Sequence, residues 1–406
     1  MGLRSIVNCW FALTAFLRLI AGCCRFTSAV VIFICSILFS ITLPTACDSR
    51  PDRVVIGIAL TRSNHSAVEL AAREINASGG IGGVPLELMG LEWDVVDRFD
   101  AEDILKWADR FAATDDLVAV IGHSDSSSTL SAAASYNQKK IPQIVTIATN
   151  PAITNIGDWT YRLCLSDAAQ GPALAEYAVL DWGKKRIAVF YVNDDYGRGL
   201  AQLFEKRVRE LGGEIVANVM HRNVLEADDK ELISSALANL KRIGEPDLIA
   251  LFQRINAANW TINAIREAGI SASLLGGDSL GPISFIKEDA ELKEGMRISQ
   301  FFLPRPEDEH AMKFVNNFRQ FANAEPEYGQ AFAYDSVYLV RDAVLNGGFS
   351  REGVKSYLDK LIREKTVING AGGAYALGPD HDARRSLYIV EARGGSQHFL
   401  KALDVN

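Results

Sequence analysis

Leu117-Val118-Ala119-Val120-Ile121-Gly122-His123-Ser124-Asp125-Ser126-Ser127-Ser128-Thr129 joins an apolar run to a polar turn through one glycine. An unbroken apolar run of this length, closed by Gly122, reads as a strand covered on both faces. The polar turn admits three readings. Gly122-His123-Ser124 begins as a hydrolase nucleophile elbow does, but the elbow needs glycine two residues after the serine, where this chain has Ser126. The second reading is a helix entrance whose free amides, positive dipole end and serine hydroxyls hold a ligand carboxylate. The third is simple capping by a serine or aspartate.

The same grammar extends in both directions. Upstream, Val54 to Leu60 is near-continuously apolar, and Ser66 with Glu69 predicts a capping box for a helix that buries Val68, Ala71, Ala72 and Ile75 before Gly79-Gly80. A helix from Asp100 is expected to bury Ile104, Leu105, Ala108 and Phe111, and downstream a helix over 131–138 precedes a strand over 144–147. After Gln170 the alternation restarts, with strands predicted over 186–192, 214–220, 247–252 and 273–275 and helices over 200–211, 232–243 and 259–268. Two runs of strand–helix units imply two parallel sheets flanked by helices, built as separate lobes. Ligands bind outside the carboxyl ends of such strands, so the informative loops follow Leu60, Ile121, Ile147, Val192, Phe252 and Leu275.

Composition narrows the function. The 406 residues carry a net charge of −8. Residues 1–47 contain Arg4, Arg18 and Arg25 and no acid, so the remainder stands at −11, a surface that repels nucleic acid. Ser28 to Leu43 is almost wholly apolar, follows Arg25 and ends at Pro44-Thr45-Ala46-Cys47, the layout of a secretory signal. Its sixteen residues are short against the about 20 that cross a bilayer, which favours export over a spanning anchor. Leu43 to Cys47 also resembles a bacterial lipobox, in which the cysteine takes a lipid, although Pro44 stands where that pattern usually has leucine. Outside the leader only Cys164 remains, so neither an intramolecular disulfide nor a zinc cage is available, and Cys164 is expected to be a buried small hydrophobe. The six histidines are dispersed without metal spacing.

Three further loops carry chemistry. Ile147-Ala148-Thr149-Asn150-Pro151 offers a carbonyl for an ammonium and a hydroxyl for a carboxylate, or is an ordinary polar turn. Asn193-Asp194-Asp195-Tyr196-Gly197 reads as a capped helix entrance with Tyr196 as a ligand-facing wall. Gly276-Gly277-Asp278-Ser279 places an acid at a strand end, where it can pair with a cationic group.

In order along the chain stand Ala72-Arg73-Glu74-Ile75-Asn76-Ala77-Ser78-Gly79-Gly80-Ile81, Val120 to His123 with Ser126 to Thr129, Ala148-Thr149-Asn150-Pro151, Asp195-Tyr196-Gly197-Arg198-Gly199, Pro246-Asp247-Leu248-Ile249, Tyr334-Asp335-Ser336-Val337 and Gly372-Gly373. Taken together, these motifs resemble the leucine/isoleucine/valine-binding family of type I periplasmic binding proteins. The resemblance implies an α/β fold of two Rossmann-like lobes joined by three crossover segments, with 1–47 as leader, 52–164 plus 298–366 as one lobe, and 165–297 plus 367–406 as the other. It implies a ligand carboxylate on Ser126, an ammonium on the Ile147 carbonyl, Ala148 beside it, and Thr149 touching both groups. Tyr196 would be the second-lobe aromatic, Arg254 part of the side-chain pocket and Asp278 the acid for the ammonium. It further implies no cofactor, no metal, an ABC permease as partner, and a periplasmic or surface location with Cys47 as lipid anchor. A sensory receptor on the same fold and a serine hydrolase through Ser124 are the competing functions. This chain departs from the family in a short loop after Leu60, in lacking the first-lobe disulfide of some relatives, and in the polar Arg62 and Gln253-Arg254. A more polar or acidic ligand than a branched-chain amino acid is compatible with those departures.

Overall fold

The computed structural model describes residues 50–90, 101–403 and 405, so the leader with Cys47, and Asp100, lie outside the described residues. The first layer begins with β1 (Val54–Ala59), α1 (Arg62–Ala77), β2 (Leu86–Gly90), α2 (Ala101–Ala112) and β3 (Leu117–Gly122). It continues with α3 (Ser126–Gln138), β4 (Gln143–Val145) and β5 (Thr160–Arg162), and the five strands form a parallel sheet in the order β2-β1-β3-β4-β5. The second layer opens with α4 (Asp167–Glu176), a π-helical turn (Tyr177–Asp181), β6 (Arg186–Val192), α5 (Asp195–Glu210), β7 (Glu214–His221) and α6 (Ala227–Ile243). After these come β8 (Leu248–Phe252), α7 (Ile255–Glu267), β9 (Ser273–Gly276), α8 (Ile283–Lys287) and β10 (Arg297–Gln300). Helices α9 (Glu309–Ala322), α10 (Tyr328–Gly347) and α11 (Arg351–Glu364) then precede a small antiparallel sheet of β11 (Ile368–Gly370), β12 (Gly373–Leu377) and β13 (Ala383–Arg384). Strands β14 (Leu387–Arg393) and β15 (Ser396–Leu403) return to the second sheet, whose order is β15-β14-β10-β9-β8-β6-β7. Only the β10–β14 and β14–β15 pairs of that sheet are antiparallel.

The continuous apolar runs are explained by burial on both faces. In β6 and β8, Ala188, Phe190, Ile249 and Leu251 enter one core, while Ile187, Val189, Leu248 and Ala250 enter the core on the opposite face. In β1, Val54, Ile56 and Ile58 pack one way and Val55 the other. Gly57 lies on that second face, where an added Cβ would stand 2.9 Å from Phe111.

Several boundaries differ from expectation. Helix α1 starts at Arg62, one turn before the predicted capping box, so Ser66 donates to the Ser63 carbonyl (2.9 Å) and Glu69 pairs with His65 (3.4 Å). Leu105 is 48 % exposed, because Ile104, Ala108 and Phe111 share the buried face of α2 and Leu105 is one residue off it. Helices α3, α5, α6 and α7 begin earlier than predicted, since their first turns are mostly polar or small, with at most one large apolar or aromatic residue each (Tyr196 in α5, Ile255 in α7), and show no apolar period. The lobe divisions expected at 297/298 and 366/367 both move. Strand β10 belongs entirely to the second sheet, and Ala371, Tyr375, Leu377 and Ala383 of the small sheet pack into the first lobe's core. The chain crosses between lobes near Cys164, after Gln300 and again before β14, at positions that hydrophobic patterning alone does not mark.

Two of the sequence motifs meet in space. The Asp335 carboxylate accepts from the amides of Ala371 (2.6 Å) and Gly372 (2.9 Å), which fixes the small sheet on α10. Cys164 is buried and free, and burial pushes its thiol well above the ordinary range. Among the described residues no helix is long and apolar enough to cross a membrane.

Gly122 turns the chain out of β3 at φ +131°, and a Cβ there would stand 2.3 Å from the Ala59 carbonyl oxygen. Replacing it by alanine adds a strained backbone to that collision, so Gly122→Ala is expected to destabilise by more than about 1 kcal/mol. A lowered urea midpoint at unchanged slope is the expected readout.

Candidate functional site

The carboxyl ends of both parallel sheets open onto one cleft of about 1170 Å³. Loops after β1, β3 and β4 line it from the first lobe, and loops after β6, β7, β8 and β9 from the second. Of the residues that sequence picks out, Ser126, Ile147, Ala148, Tyr196, Arg254 and Asp278 all line this cleft. Thr149 does not. It is buried, its hydroxyl donates to Asp167 Oδ2 (2.9 Å), and its carbonyl accepts from the Asp167 amide (2.8 Å). Its hydroxyl and carbonyl are thus both engaged by the first crossover segment.

The first-lobe wall is the entrance of α3. Asp125 is the N-cap and accepts from the Ser128 amide (2.9 Å), so simple capping holds for this aspartate. The Ser126 and Ser127 amides, in the same first turn, have no acceptor among the described residues, and the Ser126 hydroxyl lies 3.4 Å from the Asn150 amide. Ser124 is already engaged, since its Oγ accepts from the Thr61 amide (2.8 Å). His123 bonds Tyr136 through Nε2 (3.0 Å), and burial lowers its pKa to about 4, so it is neutral at pH 7. A serine held by a backbone amide, beside a histidine turned to a tyrosine, lacks the nucleophile–base contact of a hydrolase. Arg162 supports the neighbouring loop from behind. It donates to the carbonyls of Ala148 (3.3 Å) and Asn150 (2.7 Å) and grips Asp382 with two bonds of 2.8 Å.

The second-lobe wall is a chain of charge. Asp194 caps α5 through the Gly197 amide (2.7 Å) and accepts from Arg254 (3.0 Å). Arg254 lies over the Tyr196 ring at 4.6 Å from its centroid. The Tyr196 hydroxyl donates to Asp278 Oδ1 (3.2 Å) and contacts Ser279 Oγ (2.9 Å). Tyr328, from the start of α10 in the other lobe, donates to Asp278 Oδ2 (3.1 Å).

Behind Asp278 stands a second buried acid. Gln170 Nε2 donates to both Asp167 Oδ1 and Asp278 Oδ1, each at 2.9 Å, while Ser299 Oγ donates to Gln170 Oε1 (2.8 Å). Burial and then the Asp278 charge push Asp167 up to about 7, and burial raises Asp278 as well. Asp167, Gln170 and Tyr328 are site residues that sequence reasoning misses. The i, i+3 spacing of Asp167 and Gln170 on one helix face is the signal that points to the first two.

Two further bonds cross the cleft mouth. Ser127 Oγ donates to Asp195 Oδ2 (2.6 Å), and Asn150 Nδ2 donates to the Asp195 carbonyl (2.6 Å). Among the described residues no cluster of histidine, cysteine, aspartate and glutamate has metal-binding geometry.

Residues 57–397 match the periplasmic binding protein family. The chain is 28 % identical over 355 residues to the Leu/Ile/Val-binding protein homolog 1 of Brucella abortus, covering 83 % of this chain and 89 % of that one. It is also 28 % identical to the leucine-specific-binding protein of Salmonella typhimurium, over 56 % of this chain and 59 % of that protein. The leucine binding protein of Thermotoga maritima superposes with a TM-score of 0.76 at 25 % identity, covering 86 % of this chain and 99 % of that one. A benzoate-bound solute binding protein of R. palustris shares the fold at a TM-score of 0.73 and 17 % identity, covering 87 % of this chain and 98 % of that one. Its fold, its cleft and the extent of these matches give one assignment: the chain belongs to the periplasmic binding protein family, and is a solute-binding protein rather than an enzyme.

Proposed function

We propose that this protein captures an amino-acid-like solute outside the cytoplasm and hands it to an ABC permease. The observation that carries the reading is the pairing of Ser126, with the unfilled amides of the α3 entrance, against the buried carboxylate of Asp278 across one cleft. A zwitterion fits that pairing, its carboxylate on the helix entrance and its ammonium on Asp278, with the Ile147 carbonyl as a further acceptor. The relatives named for leucine, isoleucine and valine support the same ligand class.

In this reading the ligand docks first on Ser126 and Ala148. Closure then brings Tyr196, Arg254 and Asp278 over it, and contacts made only when closed shift the equilibrium between open and closed lobes. A micromolar dissociation constant corresponds to about 8 kcal/mol, a sum within reach of two charge-assisted ends and an aromatic wall. The leader is read as an export signal, with Cys47 as the lipid-bearing residue.

In a thermal-shift screen of the full chain in detergent, free α-amino acids should raise the midpoint and their N-acetylated forms should not. Asp278→Asn should weaken amino-acid binding more than thirtyfold in calorimetry (about 2 kcal/mol or more), and Ser126→Ala should weaken it less. Unchanged affinity in both variants would reject the assignment. Cys47→Ala should release the protein from the membrane fraction on cell breakage.

Binding should also depend on pH. Asp167 sits at about 7 against an ordinary 3.8, so it keeps its proton where an unfolded aspartate has lost one. Its presence therefore lowers the stability of the empty protein as pH rises from about 4 to about 7. Arg162 and Arg254 pull the other way on Asp167 and Asp278 respectively. An arriving ammonium favours the ionised pair, so binding should release protons below about pH 7 and weaken between about pH 8 and pH 6. Calorimetry in buffers of different ionisation enthalpy measures that release, and Asp167→Asn should abolish most of it.

A further inference from the structure

Two arginines are buried where the chain passes between the lobes, and only one of them is satisfied. Arg162 spends its guanidinium on Asp382 and on the carbonyls of Ala148 and Asn150. Arg385 is only 7 % exposed, and its Nε and both terminal nitrogens are buried without a hydrogen-bond partner among the described residues. Its Cζ stands 3.6 Å from the centroid of the Phe332 ring and 5.1 Å from that of Tyr375. The Asp335 carboxylate, whose charge bears on it, is already engaged by the Ala371 and Gly372 amides. A guanidinium keeps its proton in a protein, so this one is a bare cation in an aromatic surround. A ring face returns only part of the hydration that such a group gives up.

Its place in the chain gives that cost a mechanical meaning. Arg385 and Ser386 are the two residues between β13, in the small sheet of the first lobe, and β14, which returns to the second sheet. Phe332, which covers the guanidinium, belongs to α10 of the first lobe, and that helix touches the second lobe about one turn earlier. There Glu327 accepts from the Ile283 amide (3.2 Å) and Tyr328 donates to Asp278 (3.1 Å), with the Tyr328 ring 5.9 Å from that of Phe332. Together with the bond from Ser127 to Asp195, these contacts hold the lobes in a closed arrangement. Arg385 thus lies between a strand that travels with one lobe and a helix face that belongs to the other. It has no hydrogen bond to lose and almost no surface left to bury, so its desolvation is near a ceiling. Lobe movement that parts β14 from α10 lowers that cost by admitting water.

We infer that Arg385 is a hinge charge that opposes closure of the empty protein: closing strips its guanidinium of water, and opening restores it. It works against the ligand-independent bonds at Asp195, so that closure depends on the contacts a solute adds. No particular solute enters this role, which stands or falls apart from the amino-acid reading.

Hydrogen exchange of the ligand-free full chain in detergent, followed by mass spectrometry, measures the opening. The reporters are peptides over the cleft-lining first turns of α3 and α7 (126–128 and 255–257), and the references are the first turns of α9 and α11 (309–311 and 351–353), outside the cleft. Arg385→Met keeps bulk and removes charge. It is expected to slow exchange of the cleft peptides at least threefold relative to the references, with a urea midpoint equal to or above the native one. Arg385→Lys keeps the charge and should exchange within twofold of the native protein. Unchanged cleft exchange in Arg385→Met, equal slowing at the references, or slowing that Arg385→Lys shares overturns the inference. A lowered urea midpoint or loss of the fold in Arg385→Met overturns it too, because a guanidinium whose removal unfolds the chain had partners to lose.

Discussion

Two carboxylates share a site that water barely reaches, and a single amide nitrogen lies between them. Burying one ionised acid is costly, and burying two close together is costlier still unless one keeps its proton or a cation arrives. Around Asp167 and Asp278 the chain answers with neutral donors from several elements: Thr149 after β4, Gln170 on α4, Tyr196 on α5 and Tyr328 on α10. Those donors come from both lobes and from the first crossover. Small movements of one lobe therefore alter the solvation of a charge that the other lobe helps to satisfy. The electrostatic need of that pair thus ties its ionisation to the position of the lobes.

Much of this is legible in the chain without its structure. Strands buried on both faces announce themselves, because alternation disappears when each face has its own core, as in Ile187 to Phe190. The strand-end loops then come from topology, which is why Ser126, Ile147, Ala148, Tyr196, Arg254 and Asp278 are identifiable as cleft residues. The hidden part depends on pairings across long sequence gaps. Thr149 bonds Asp167 and Tyr328 bonds Asp278, and no local pattern reports either contact. Lobe boundaries are hard for a related reason: β10 and the small β11–β13 sheet owe their lobe to a partner strand or a core far away in sequence. The capping box predicted at Ser66 does not form because the loop after β1 is so short that α1 begins almost at once.

Arg162 shows how support for a binding loop is placed out of the ligand's reach. Its guanidinium is wholly buried, with Asp382 on one side and the Ala148 and Asn150 carbonyls on the other. Asp382 lies just before β13, close to where the chain returns to the second lobe. The loop carrying Ala148 is thereby tied to the small sheet, just ahead of the last crossover, by a pair that needs no solvent and no ligand. Losing one partner of a fully buried pair would leave a bare charge in the interior, a larger penalty than the pair's own net worth.

The bonds from Ser127 and Asn150 to Asp195 contain no ligand atom. Whatever favour they give the closed arrangement is given equally to the loaded and the empty protein. Each factor of ten in closed population corresponds to about 1.4 kcal/mol, within reach of one charge-assisted hydrogen bond. A stronger clasp would slow the escape of bound solute, but it would also multiply empty closed molecules that look loaded from outside. Retention of bound solute and suppression of empty closed molecules therefore place opposite demands on one pair of hydroxyl and amide contacts at a half-exposed rim.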